Sequence, residues 1–236
     1  MYTAQDLRND YPGMNPKEGK CPPIEAVWKM NTMTEAEFRS QMQKAREDAR
    51  EYRNLQEGER LSAQAHALQR ECALSGVPHR FSGCPIDTSY QTHLEGGGNL
   101  WVWGEVGTGK TVQGCSVLKG WISQGRLGRM VSSVSLLTEL RAAMNGQGRE
   151  LDVISRYSSV PLLVLDDLGQ EVPSEWALSR LFEIVDKRYN AGLPTVVTSN
   201  LSPQGVTDRL KADAMVSRLM ERCRVKRVEG EDRRLA

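Results

Sequence analysis

Residues 99–111 read Asn99-Leu100-Trp101-Val102-Trp103-Gly104-Glu105-Val106-Gly107-Thr108-Gly109-Lys110-Thr111. This is a short apolar run, a glycine-punctuated turn and the start of a helical pattern. Gly104 to Thr111 match G-x-x-x-x-G-K-T in full, and the residue types carry a mechanism. Glycines let the backbone curl so that successive N–H groups point inward around anionic oxygens. The helix that begins near Lys110 adds the positive end of its dipole. Lys110 offers an ammonium to the outer phosphates, and Thr111 offers a hydroxyl to magnesium. The expected ligand is therefore ATP with Mg2+, held by Gly104, Glu105, Val106, Gly107, Thr108, Gly109, Lys110 and Thr111. Gly96-Gly97-Gly98, just ahead of the apolar run, reads as a flexible turn.

Beyond this loop, short apolar runs alternate with helical stretches. Strands are predicted near 99–103, 128–133, 161–165, 194–199 and 224–229, and helices over 110–123, 135–145, 149–158, 173–191 and 213–222. Strands that alternate with helices imply a parallel sheet covered on both faces, an α/β fold. Leu162-Leu163-Val164-Leu165 is apolar at every position, as a strand buried on both faces requires. Ser132 and Ser133 make the second strand the least apolar of the set.

Three further elements fall where chemistry is needed. The apolar strand ends in Asp166-Asp167, at the strand end where open α/β sheets bind ligands. Asp166 is expected to hold magnesium, and Asp167 to polarise the attacking water. Ser199 and Asn200 leave the strand Thr195-Val196-Val197-Thr198, which makes Asn200 a candidate sensor of the γ-phosphate. Arg218 and Arg234 lie in a basic C-terminal stretch and are candidates to stabilise charge on a transferring phosphoryl group.

The N-terminal part differs in character. Residues 1–33 are rich in proline and glycine and read as an irregular arm. Thr34 and Glu37 form a capping box for a helix with a narrow apolar stripe, Phe38, Met42, Ala45, Ala49 and Tyr52. Gly58 is expected to interrupt it, with a second piece carrying Leu61, Ala65, Leu68 and Cys72. Such a helix packs on its own ATPase domain, pairs with a copy of itself, or docks a partner protein. The expected domains are 1–75, arm and partner-binding helices, and 76–236, the ATPase.

The whole chain is 236 residues with 39% hydrophobic and 26% charged residues and a net charge of +1. That balance suits a soluble globular protein, and any DNA contact must come from a local patch. Five cysteines, widely spaced, without a close C-x2-C pair, argue for scattered thiols in a reducing compartment, hence the cytoplasm. No run of 18 apolar residues suggests a membrane span.

With these residues in place the chain resembles an AAA+ ATPase, and more narrowly the DnaC/DnaI-type helicase loaders and IstB-type transposition helpers. The resemblance covers roughly 76–236. It rests on Gly76-Val77-Pro78-His79-Arg80-Phe81, on Gly104–Thr111, and on Leu163-Val164-Leu165-Asp166-Asp167-Leu168-Gly169. It continues in Thr198-Ser199-Asn200-Leu201, Ser217-Arg218-Leu219 and Gly230-Glu231-Asp232-Arg233-Arg234. It implies AAA+ strand order without a full C-terminal lid, and self-assembly into a ring or spiral with nucleotide between neighbours. It implies Arg218 as a finger acting in trans, Arg234 as a second sensor, and Gly76–Phe81 as the border of the adenine. Helicase loading would bring single-stranded DNA and a hexameric replicative helicase as partners. A transposition helper would act on duplex DNA, and a nucleotide-gated adaptor would assemble with little turnover. Asp167 stands where loaders often have glutamate, which implies hydrolysis that is slow or stimulated by a partner.

Overall fold

The structure, a computed structural model, describes residues 35–230 and 232. The chain divides into two compact units, 1–63 and 64–236.

The first long element is α1 (Glu35–Leu74), a helix of 40 residues. It runs through Gly58 without a break, where an interruption was expected. One glycine costs about 1 kcal/mol in a helix, and the strong helix formers on both sides, Leu55-Gln56-Glu57 and Glu59-Arg60-Leu61, outweigh it. Residues 43–60 are exposed throughout. The cap at Thr34 and the side chain of Phe38 lie outside what is described. In the second unit the helix end turns inward, and Cys72 and Leu68 join the core.

Five strands follow, β1 (Asn99–Trp103), β2 (Gly128–Ser132), β3 (Leu162–Asp166), β4 (Thr195–Ser199) and β5 (Cys223–Arg227). They form one parallel sheet in the order β2-β3-β4-β1-β5. Helix α2 (Gln91–Glu95) precedes β1, and between the strands lie α3 (Lys110–Ile122), α4 (Ser133–Met144), α5 (Glu150–Ser159), α6 (Glu175–Asn190), α7 (Pro203–Leu210) and α8 (Asp213–Met220). The fold is the α/β AAA+ arrangement implied by the resemblance, and each predicted strand is present within two residues at either end. Helices α2 and α7 were not expected. The Ser202 side chain caps α7 by accepting from the Gly205 N–H, and Pro203 fills its first position. These local signals outweigh Gly205 inside the helix.

Period-two alternation of the strands makes two cores. Leu100, Val102, Leu162, Val164 and Val196 face α3, with Leu118 and Trp121 packed over them. Trp101, Leu163, Leu165 and Val197 face the other way, onto α4 through α8. Gly114 lets α3 lie close to the sheet, since a Cβ there would stand 3.1 Å from the Thr198 methyl and 3.2 Å from Val164. The helix that carries the Lys110 loop is thereby pressed against the strands that carry the acids.

Arg188 on α6 locks the opposite end of the sheet. It is 1% exposed. Its guanidinium donates to the carbonyls of Tyr157 (3.0 Å), Val160 (2.7 Å) and Pro194 (2.5 Å), and to Thr195 Oγ1 (3.0 Å). Burial lowers its pKa to about 9, still far enough above neutrality to keep it charged. The cation gathers the end of α5 and the starts of β3 and β4. Replacing Arg188 with Ala strips these acceptors, and the Ser158 carbonyl at 3.5 Å, of their donor, and chemical denaturation should show a loss of about 3–5 kcal/mol. Arg188→Lys, lacking the planar fork, should recover only part of it.

Candidate nucleotide site

The C-terminal ends of β1, β3 and β4 open together into a cleft of ≈ 480 Å³. Its lining includes Phe81, Val106, Gly107, Gly109, Lys110, Thr111, Val112, Asp167, Gln170 and Asn200. Three motifs separated by many residues in the chain thus meet because β4 lies between β1 and β3.

The loop after β1 has the backbone that its glycines allow. Gly107 and Gly109 sit at φ +83° and +99°, values that L side chains rarely adopt. Gly104 passes so near the Val228 carbonyl that a Cβ there would collide with it. The Thr108 hydroxyl and the Lys110 ammonium both donate to the Glu105 carbonyl, at 2.9 and 2.6 Å, and Lys110 is 5% exposed. Thr111 Oγ1 stands 3.4 Å from Asp166 Oδ2. A hydroxyl and a carboxylate at that spacing, both oxygen donors beside the glycine loop, fit a hard divalent cation such as Mg2+. Thr111 and Asp166 are the residues that would hold the metal.

The acid pair is organised by Thr198, fully buried on β4. Its hydroxyl donates to Asp166 Oδ1 and accepts the Asp167 N–H at 3.0 Å. Asp167 adopts φ +54°, which turns the chain out of β3 into the cleft. Ser199 Oγ donates to the Leu168 carbonyl at 2.6 Å, and the Leu168 N–H donates to the Thr198 carbonyl at 2.9 Å, so the turn after β3 is pinned to β4. Sequence reasoning did not single out Thr198. Its residue type carried little signal, since Thr195 and Ser199 on the same buried strand bear hydroxyls as well.

Other predicted residues are distributed unequally. Asn200 lines the cleft beside Asp167. Of the stretch Gly76–Phe81 only Phe81 lines it; Gly76 lies against the backbone of Met130, and Val77 enters the core. Arg218, on α8, does not line this cleft. Its Nε donates to Asp186 at 2.6 Å and its guanidinium lies 4.7 Å from the Phe182 ring. Arg234 lies outside the described residues.

Residues 86–236 match the family described as IstB-like ATP binding protein. The chain belongs to that family. Among its relatives, the IstB-like chain is 25% identical over 150 residues to the replicative helicase loader DnaI of Bacillus subtilis (strain 168), covering 58% of this chain and 48% of that one. It is 24% identical over 123 residues to the replicative helicase loader DnaC of Escherichia coli (strain K12), covering 52% and 48%. It thus spans about half the length of the relatives it matches. A crystal structure of the DnaC helicase loader superposes with a TM-score of 0.55 at 22% identity, over 64% of this chain and 100% of that one, a likeness of fold.

Burial raises the pKa of Asp166, and the nearby Asp167 charge adds to that; the hydrogen bonds from Thr198 and Thr111 and the Lys110 charge oppose it. A carboxyl whose pKa is raised on folding stabilises the fold below the ordinary carboxylate range. That contribution is lost as pH rises through the raised value. Asp166→Asn removes the cost of the buried charge while keeping an acceptor for Thr198. In the nucleotide-free protein at neutral pH its melting temperature should exceed wild type by roughly 2–4 °C, for about 1 kcal/mol. The gap should close as the pH falls through the carboxylate range. Thr198→Val keeps the shape and deletes both bonds, and should weaken Mg2+-dependent nucleotide binding by about 10-fold or more in titration calorimetry.

Proposed function

We propose that this protein is an ATP-dependent helicase loader, a slow or partner-stimulated ATPase that assembles with single-stranded DNA and delivers a replicative ring helicase. The reading is carried by one convergence: the glycine loop with Lys110 and Thr111 meets Asp167 and Asn200 in a single cleft, with Asp166 bonded to Thr111 beside it. Similarity to proteins named replicative helicase loaders supports the biological role.

Thr111 and Asp166 would hold magnesium, which would supply Lewis-acid neutralisation of phosphate charge. Lys110 and the loop amides neutralise the same phosphates. Asp167, turned into the cleft, orients a water in line with the γ-phosphorus. The water oxygen bonds to phosphorus, the bridge to the β-phosphate breaks, and the water proton passes to Asp167 and then to solvent. Asn200 donates to the γ-phosphate and reports its loss. Arg218, on α8, serves the nucleotide of a neighbouring subunit once its pairing with Asp186 yields, and Arg234 acts as the second sensor. The exposed stretch of α1 supports a partner-facing role for residues 1–75.

A transposition helper is the second reading, favoured by the IstB-like family match. The form of DNA separates the two. With Mg2+ and ATP, the full chain should gain mass on a short single strand and co-sediment with a hexameric helicase; preference for duplex DNA without helicase capture would select the second reading. Lys110→Ala should lower ATP affinity by at least about 10-fold and abolish the assembly. If wild type retains no ATP with magnesium, both readings fall.

A further inference from the structure

Glu171, on the turn that follows β3, is 3% exposed. It does not line the nucleotide cleft, although Gln170 and Asp167 beside it do. Its Oε2 accepts the Gly169 N–H at 2.9 Å and the Ser133 hydroxyl at 2.6 Å. Ser133, fully buried at the first turn of α4, also brings that hydroxyl within 3.1 Å of the Asp167 carbonyl. The other oxygen, Oε1, is buried with no hydrogen-bond partner among the described residues. A buried carboxylate left half satisfied is costly, and a cost of that kind calls for a compensating role.

We propose that Glu171 is a positioning residue for hydrolysis, which holds the Asp167 carboxylate toward the γ-phosphate through the backbone on either side of it. This rests on the reading of Asp167 as the group that orients water. At φ +54° a non-glycine backbone costs about 1–2 kcal/mol and persists only where its surroundings hold it. Thr198 holds the Asp167 N–H from β4. On the carbonyl side the Gln170 N–H donates at 3.2 Å, closing the turn, and the Ser133 hydroxyl sits between Asp167 and Glu171. One carboxylate oxygen therefore fixes both Gly169, two residues past Asp167, and Ser133, which belongs to a different layer of the fold. Remove it, and the Gly169 N–H and the Ser133 hydroxyl lose their shared acceptor, so the turn after Asp167 loses its carboxylate link to α4. The binding surface for phosphate, which comes from Gly104–Thr111, is untouched.

The experiment measures single-turnover ATP hydrolysis and, separately, ATP affinity of the full chain with Mg2+ and single-stranded DNA. Glu171→Ala should slow hydrolysis by about 10- to 100-fold, as small misplacements of a reacting group do, with ATP affinity within about 3-fold of wild type. Glu171→Gln, which keeps an acceptor at the Oε2 position, should recover most of the rate. Ser133→Ala should slow hydrolysis too, and combining it with Glu171→Ala should add little, since both act on one turn. Asp167→Asn separates the two failures. If it leaves hydrolysis intact, the role of Asp167 itself falls and this proposal with it. If it abolishes hydrolysis while Glu171→Ala does not slow it, only the positioning role falls. Loss of affinity and rate in parallel would mark Glu171 as structural and also overturn the proposal. Should Glu171→Ala fail to fold, Ser133→Ala decides on the same two readouts.

Discussion

One hydroxyl ties the chemistry of this protein to its sheet. Thr198 Oγ1 donates to the Asp166 carboxylate and accepts the Asp167 N–H, joining the end of β4 to the end of β3. Both acids need that bridge. Asp166 is buried and its charged form is disfavoured unless donors reach it. Asp167 must leave the strand by a left-handed turn, and its N–H must find an acceptor away from water. A threonine meets both needs because its oxygen gives one hydrogen and receives another.

The bridge depends on β3 and β4 being neighbours, and their partnership is enforced far from the site. At the opposite end of the strands Arg188 draws the carbonyls of Tyr157, Val160 and Pro194 onto a single planar cation. On the α3 face, Gly114 brings that helix within contact of Thr198 and Val164. Lys110 and Thr111, at the start of α3, therefore approach the acids as part of a packed layer. The charged groups of the cleft are held by rigid elements, the condition for electrostatic work without reorganisation.

Two groups of charges differ in kind. Lys110 and Asp166 are buried and hydrogen-bonded, and Asp167 beside them is half-buried. Those on α1 are exposed over residues 43–60 and are screened by solvent, so they contribute little to the stability of the helix that carries them. The net charge of +1 places no strong field around the molecule. Contact with a polyanion in the proposed role then relies on many subunits each contributing a few groups, which is the arithmetic of multivalency.

Elements whose conformation is local could be read from the residues alone. Gly104–Thr111 specify their loop because glycines at 107 and 109 permit the positive φ that a phosphate cradle uses, whatever surrounds them. Leu162–Leu165 specify a doubly buried strand, and the acids at its end follow from the chain running out of apolar residues. The order of the strands decided the rest. The pairing of Thr198 with Asp166 and Asp167, the link from Ser133 through Glu171 to Gly169, and the seat of Arg218 on Asp186 join residues roughly 30 or more positions apart. No spacing announces them, since each depends on which strands and helices become neighbours. Gly58 shows the reverse limit: a local signal for a break was overruled by the helical preference of its flanks. Side-chain bonds across a sheet form only after backbone topology has brought their strands together, and that is why the way the site is held emerges from the packed fold.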